Sequence, residues 1–186
     1  VEAIRDIDRA IQENGEASDE GWLRRYSKNS YESSFLKICK TLEQSCFGIF
    51  SECFSLLKQQ DLLKQRICDL TSRPFDLDRG VTLGTMALLL RVVNSGAKKN
   101  STRFSEVLEF AGGTSSNLPA FLKAIANLDE KHIDYFFEFT KTRNHLAHSK
   151  APISYRQAVS LQIFAKREFE YIYNLGSNAP QLKKKS

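Results

Sequence analysis

"YESSFLKICKTLEQSCFGIFSECFSLL", residues 31–57, decides the fold class. Its apolar side chains at Phe35, Cys39, Leu42, Cys46, Ile49, Cys53 and Leu56 advance by alternating steps of four and three. That spacing lines one face of a helix turning once in about 3.6 residues. Ile38, Phe47, Phe50 and Phe54 widen the stripe, which predicts a long helix that is central and buried around much of its circumference. Three of the cysteines lie on this stripe seven residues apart, about 10 Å along a helix at roughly 1.5 Å per residue. Zinc–sulfur bonds are only about 2.3 Å long, so neighbouring thiols cannot share an ion. Cys39, Cys46 and Cys53 are expected in the core, no metal site is expected, and Cys68 belongs to no CxxC pair.

The helical pattern continues outward in both directions. Towards the N-terminus, Glu2 to Glu13 forms a short charged helix, "NGEAS" (14–18) breaks it, and Ser18 can cap a helix carrying Trp22, Leu23 and Tyr26. Towards the C-terminus, Asp61 to Leu70 is helical and "SRPFD" (72–76) ends it. Thr82 is an N-cap for "LGTMALLLRVVN" (83–94), with Leu83, Met86, Ala87, Leu90 and Val93 on one face. "NSGAKKNS" (94–101) is expected to be a loop, followed by a short helix from Ser105 to Phe110. Asn117 caps "LPAFLKAIAN" (118–127), with Pro119 near the first turn, where its missing N–H costs little.

Two long helices close the chain. Asp129 to about Ala147 is preceded by an Asn127 cap with Glu130 three residues on. "SYRQ" (154–157) is a capping-box pattern opening a helix that runs to Leu175, where Gly176 is expected to stop it. The short connection containing Pro152 makes the two an antiparallel hairpin. No strand-like alternation or hairpin turn is present, so the expected fold is all-α: an up-and-down helical bundle with a four-helix core and additional short helices. One domain is expected over residues 1–178, with 179–186 a basic flexible tail.

Composition agrees. A chain of 186 residues, 41% apolar and 26% charged, can build one substantial core and is too mixed to be disordered. Four cysteines, no clear secretory signal and no apolar run near 18 residues lead to the expectation of a cytoplasmic protein without a membrane span. Charge is uneven: residues 141–186 hold nine bases against two acids, +7, leaving eighteen bases against twenty acids elsewhere, −2. The positive end would favour a polyanionic partner, or would simply keep the tail solvated.

At the junction of the last two helices stands "TKTRNHLAHSKAPIS" (140–154). Asn144 and His148 are four apart and stack on one helix face, whereas Arg143 and His148 are about 140° apart on an ideal helix. A tightened or frayed last turn and a long arginine side chain can bring the latter two together. Arginine offers fixed charge and a fork of donors, and imidazole exchanges protons near neutral pH; the combination suits phosphate chemistry.

This stretch resembles the HEPN family of all-α domains, whose ribonuclease members carry an Arg, usually a polar residue directly after it, and a His four to six positions on. Here these are Arg143, Asn144, "HLA" and His148, at a helix end followed at once by another long helix. The resemblance covers residues 129–175. It implies metal-independent, cofactor-free cleavage of single-stranded RNA by attack of the 2′-OH on its own phosphodiester, in a cleft composed by two subunits of a homodimer. His148 would then be the general acid or base, Arg143 would stabilise the transition state, and Asn144 would orient His148 or hold a phosphate oxygen. Lys141, His145, Lys150 and Arg156 would collect the RNA. His132, near the other end of the helix, is expected in solvent, and Phe136 and its neighbours in "YFFEF" (135–139) in the core. Family members serve as toxins, defence effectors and RNA-processing domains, so an antitoxin or regulatory protein is a further implied partner. In toxins silenced by a nucleotidyltransferase a tyrosine follows the histidine by two residues, and Lys150 stands there. The alternative is a HEPN-like helical module that binds RNA, nucleotide or protein without cleaving.

Overall fold

The computed structural model describes residues 2–13, 22, 31–112, 117–149 and 151–177. Among them every regular element is helical and none is a strand, so the all-α expectation holds. The elements are α1 (Glu2–Glu13), α2 (Tyr31–Lys58), α3 (Asp61–Thr71), α4 (Leu83–Lys99), α5 (Ser101–Gly112), α6 (Asn117–Ala126), α7 (Glu130–His148), α8 (Tyr155–Ile163), a π-helical turn (Phe164–Glu168) and α9 (Phe169–Ser177). They fall into two compact units, one within Val1–Ser45 and Asp134–Glu170, the other within Cys46–Ile133 and Tyr171–Ser186. No helix among the described residues is long and apolar enough to cross a membrane.

The stripe on α2 is buried at Phe35, Ile38, Cys39, Leu42, Cys46, Phe50, Cys53, Phe54 and Leu57. Leu57 replaces the expected Leu56, which is only half-buried, because a turn of 3.6 residues drifts against a 3.5-residue repeat over the three heptads from Phe35. The helix is not enclosed on most sides as its aromatics suggested. Lys37, Lys40, Thr41, Gln44, Gly48, Ser51, Glu52 and Ser55 are exposed and trace one solvent face.

In the second unit α4 is the enclosed helix. It packs against α3, α5 and α6, and Leu83, Met86, Ala87, Leu89, Leu90, Val92 and Val93 are all buried. Thr82 caps it as expected, its hydroxyl accepting from the Thr85 N–H at 3.1 Å. The expected loop at 94–101 is instead two further turns of α4 and the start of α5. Tertiary contacts override the loop-like composition there. The Asn94 amide donates to the carbonyls of Ile125 (3.0 Å) and Leu128 (2.7 Å), adding to the Leu128 N–H that Ile125 already accepts and tying α4 to the end of α6. Gly96 lies so close to α3 that a Cβ there would sit 2.8 Å from Leu70 Cδ2.

Three more expectations are corrected. Asp129, not Asn127, caps α7: its Oδ1 accepts from the Lys131 N–H at 3.2 Å, while the Asn127 N–H still bonds back to Lys123 in α6. His132 is not in solvent but 6% exposed, its ring stacked on Tyr171 at 4.0 Å. Gly176 does not stop the last helix, which continues to Ser177. The "NGEAS" break, the Ser18 cap and the tail at 179–186 lie outside the described residues.

In the first unit α1 packs on α8, where Asp8 accepts from Gln162 and Lys166. Burial pushes the Asp8 carboxyl up, but these two partners outweigh it and hold it below the usual range. Behind α7, Phe139 stacks face to face on Phe164 at 4.4 Å, and Phe136 meets Phe164 edge-on at 5.8 Å. Both Phe136 and Phe139 are fully buried, as expected of phenylalanines at helical spacing.

Candidate functional site

The last two turns of α7 are fastened from within. Thr142 and Leu146 point inward, at 0% and 5% exposure, and set the outward register of the residues between them. The Thr142 hydroxyl is buried with no hydrogen-bond partner among the described residues. Arg143 lies at the edge of the buried face, its side chain 25% exposed, and its Nε donates to Glu43 Oε2 of α2 at 2.9 Å. Its Nη1 donates to Asn144 Oδ1 at 3.2 Å. Two of the five guanidinium N–H groups are thereby committed, and the fork retains others for an anion.

Glu43 was not foreseen. It is a hundred residues from Arg143 in sequence, and its spacing on α2 places it beside the core stripe, where an acid reads as a stripe edge. One turn earlier on α2, Cys39 borders the same pair. Burial pushes its thiol up to about 12, with the Arg143 charge pulling down and the Glu43 charge pushing up. On its α2 side the guanidinium meets a Glu43 side chain that is itself only 13% exposed.

His148 closes α7 and is exposed. The last turn neither tightens nor frays: the Ser149 N–H bonds to the His145 carbonyl at 2.8 Å, an ordinary i to i−4 bond. Arg143 and His148 thus leave the helix about 140° apart, and among the described residues no hydrogen bond joins them. Asn144 stacks below His148 but gives its side-chain oxygen to Arg143, a different service from the one expected.

The expected RNA contacts divide. Lys141 is exposed and pairs with Glu138 at 2.7 Å. Arg156 is exposed in the first turn of α8. His145 is half-buried and its Nε2 bonds the Ala151 carbonyl at 2.9 Å, so it holds the connection between the helices. Lys150 lies outside the described residues. Trp22, noted in the sequence only as a helix residue, is fully buried. Its Nε1 donates to the Ile153 carbonyl at 2.8 Å, and its ring meets Tyr155 edge-on at 5.4 Å. With both halves of the Ser154–Gln157 capping box formed, the α7–α8 connection is pinned at each end. Among the described residues no group of three His, Cys, Asp or Glu side chains could hold a metal ion.

No family model matches this chain, and neither the curated proteins nor the solved structures contain a match to it.

Proposed function

We propose that this chain is a metal-independent endoribonuclease of HEPN type, cleaving single-stranded RNA in a site completed by a second copy of itself. The observation that supports this most is the Arg143 guanidinium, positioned by Glu43 and Asn144 at the end of the same helix that presents an exposed His148.

The chemistry follows from those groups. The RNA 2′-oxygen attacks the adjacent phosphorus, the 5′-oxygen leaves, and the products are a 2′,3′-cyclic phosphate and a 5′-hydroxyl. One imidazole takes the 2′-OH proton as another gives a proton to the leaving oxygen, and two copies of the chain supply two. Arg143 bears on the extra negative charge of the phosphorane-like transition state. The divergence of Arg143 and His148 on one helix agrees with each serving a phosphate together with groups of the other copy. Lys141 and Arg156 add sequence-independent attraction for the backbone. Toxin, defence and RNA-processing roles are all served by such an activity, and an antitoxin or other regulatory protein covering this helix end would silence it.

A second reading, an RNA- or nucleotide-binding helical module that does not cleave, draws on the same salt bridge, since Glu43 already answers the Arg143 charge.

A fluorescent single-stranded RNA incubated with the protein in EDTA separates the two. The nuclease reading expects cutting that both His148→Ala and Arg143→Ala abolish with helical content unchanged, and a dimer in sedimentation at assay concentration. Salt-sensitive RNA binding without product, or cutting that requires a divalent ion, would overturn it.

A further inference from the structure

Helices α3 and α5 pack against each other and leave between them a groove of about 410 Å³. Their relative direction follows from the chain. Gly96, near the end of α4, lies against Leu70 at the end of α3, and only Asn100 separates α4 from α5. The start of α5 is therefore set beside the end of α3, and the groove-lining residues of α5, from Arg103 to Phe110, run back along it. Two of the three large apolar side chains most exposed among the described residues stand on this face. Phe110 lines the groove at 39% exposure, and Leu62, at 65%, lies one turn before Arg66 on the same strip of α3.

The charges on the two walls alternate in a matched register. Along α3 the strip runs Leu62, Arg66, Asp69, and along α5, taken from its far end, Phe110, Glu106, Arg103. Both advance by four residues and then three, so each base faces an acid and the two apolar side chains face each other. Yet none of the four charged groups forms an ion pair among the described residues. The helix dipoles do not account for them either. Asp69 stands in the last turn of α3 and Arg103 in the first turn of α5, each at the end where the macrodipole opposes its charge. Arg66 and Glu106 lie mid-helix, beyond the dipole's reach of about one turn.

We propose that this face pairs with the same face of a second copy of the chain, α3 of each lying antiparallel along α5 of the other about a two-fold axis. A surface on which every base stands opposite an acid is its own complement. One rotation sets Arg66 against the second copy's Glu106 and Asp69 against its Arg103, each contact made twice, with Leu62 on Phe110. An unrelated partner would have to match the alternation independently. Two helices about 17 Å long and 10 Å wide present about 340 Å², less than the roughly 800 Å² per partner of a stable complex. The pairing is therefore weak and reversible, with a Kd of about 10–100 µM, and sensitive to salt because exposed charges direct it. It does not rest on the nuclease reading, which asks for a dimer at the α7 end.

Sedimentation equilibrium of the full chain from about 5 to 500 µM, a range that brackets this Kd, tests the pairing through charge reversals. Arg66→Glu sets carboxylate against carboxylate, and Glu106→Arg sets guanidinium against guanidinium. Each alone is expected to weaken one self-association step at least tenfold with helical content unchanged, and an equimolar mixture of the two variants to recover it to within about threefold of the original chain. Within each variant chain the facing charges stay alike in the mixture, so only contact between chains produces recovery. Asp69→Arg and Arg103→Glu form a second pair that behaves likewise. Each of these reversals suits its own helix dipole, so neither lowers the melting temperature at about 5 µM, where the chains are apart. The step is recognised by the reversals that remove it, so the presence or absence of a dimer at the α7 end does not alter the result. The proposal is overturned by no association up to about 500 µM, by association that the reversals leave unchanged, or by mixtures that associate no better than their components.

Discussion

Helices α4 and α7 both finish on basic side chains, Lys98 and Lys99 in one case and His145 and His148 in the other. Basicity there is unremarkable in itself, since a cation at a helix C-terminus gains about 0.3–1 kcal/mol from the macrodipole. What separates the two ends is the company each keeps. At α4, lysine and arginine side chains line one cavity, and groups of that class exchange no proton near neutral pH. At α7, a guanidinium is fixed by a carboxylate and an amide while an imidazole, a class of group that does exchange protons near neutral pH, stands in solvent. Only the second offers the pair of groups on which the proposed chemistry rests.

The largest effect that would break this contrast is in catalysis. His148→Ala should lower RNA cutting by about 10²–10⁴-fold, the usual worth of general acid–base catalysis. Its exposure should keep the change in stability within about 0.5 kcal/mol. Cutting that survives this change would leave the end of α7 no more chemical than that of α4.

Next come the supports behind each end. Phe164→Ala removes the ring stacked on Phe139 behind α7 and should cost about 3–5 kcal/mol in urea unfolding; a cost near 1 kcal/mol would mean that α7 is held chiefly by its polar contacts. Behind α4, Asn94→Ala removes a donor from the Ile125 and Leu128 carbonyls, the first of which keeps the Leu128 N–H, and should cost about 1–3 kcal/mol. A loss below about 0.5 kcal/mol would place water at those acceptors.

A further effect is alkaline. Burial raises the Cys39 thiol to about 12 and that of Cys53 to about 11, against about 8.5 for a thiol in an unfolded chain. The folded state holds these protons more tightly, so their contribution to stability is complete below about pH 8.5 and is lost progressively as pH rises towards 11–12. Melting temperature should therefore fall between pH 8.5 and 10.5, and less steeply in Cys39→Ala, which removes the thiol beside Arg143. Equal slopes in the two proteins would mean that water reaches this flank of the Arg143 site.

Much of the fold was legible because it is local. The four-three spacing on α2, the Thr82 cap and the Ser154–Gln157 capping box concern residues within a turn of one another, and backbone geometry alone ties their pattern to a helix. The errors occurred where a distant contact overrode local composition. "NSGAKKNS" has the residues of a loop, yet Asn94 and Gly96 are used by α6 and α3 to keep α4 helical. His132 has the polarity of a surface residue, yet it stacks on Tyr171, far along the chain. At the candidate site, Arg143, Asn144 and His148 could be singled out because they share one stretch. Glu43 and Trp22, which hold that stretch from 100 and 131 residues away, left no local signal.

Periodicity and capping are nearest-neighbour physics, so the order of residues was enough to establish helices, roughly where most of them begin, and which residue types meet at the end of α7. That the Arg143 guanidinium rests on Glu43, that Asn144 serves the arginine, and that Arg73, Arg91 and Lys99 line one cavity came from the folded chain. Side chains from separate helices come within 3 Å of each other, or line one cavity, only through the packing of whole helices, and no short-range pattern encodes that packing.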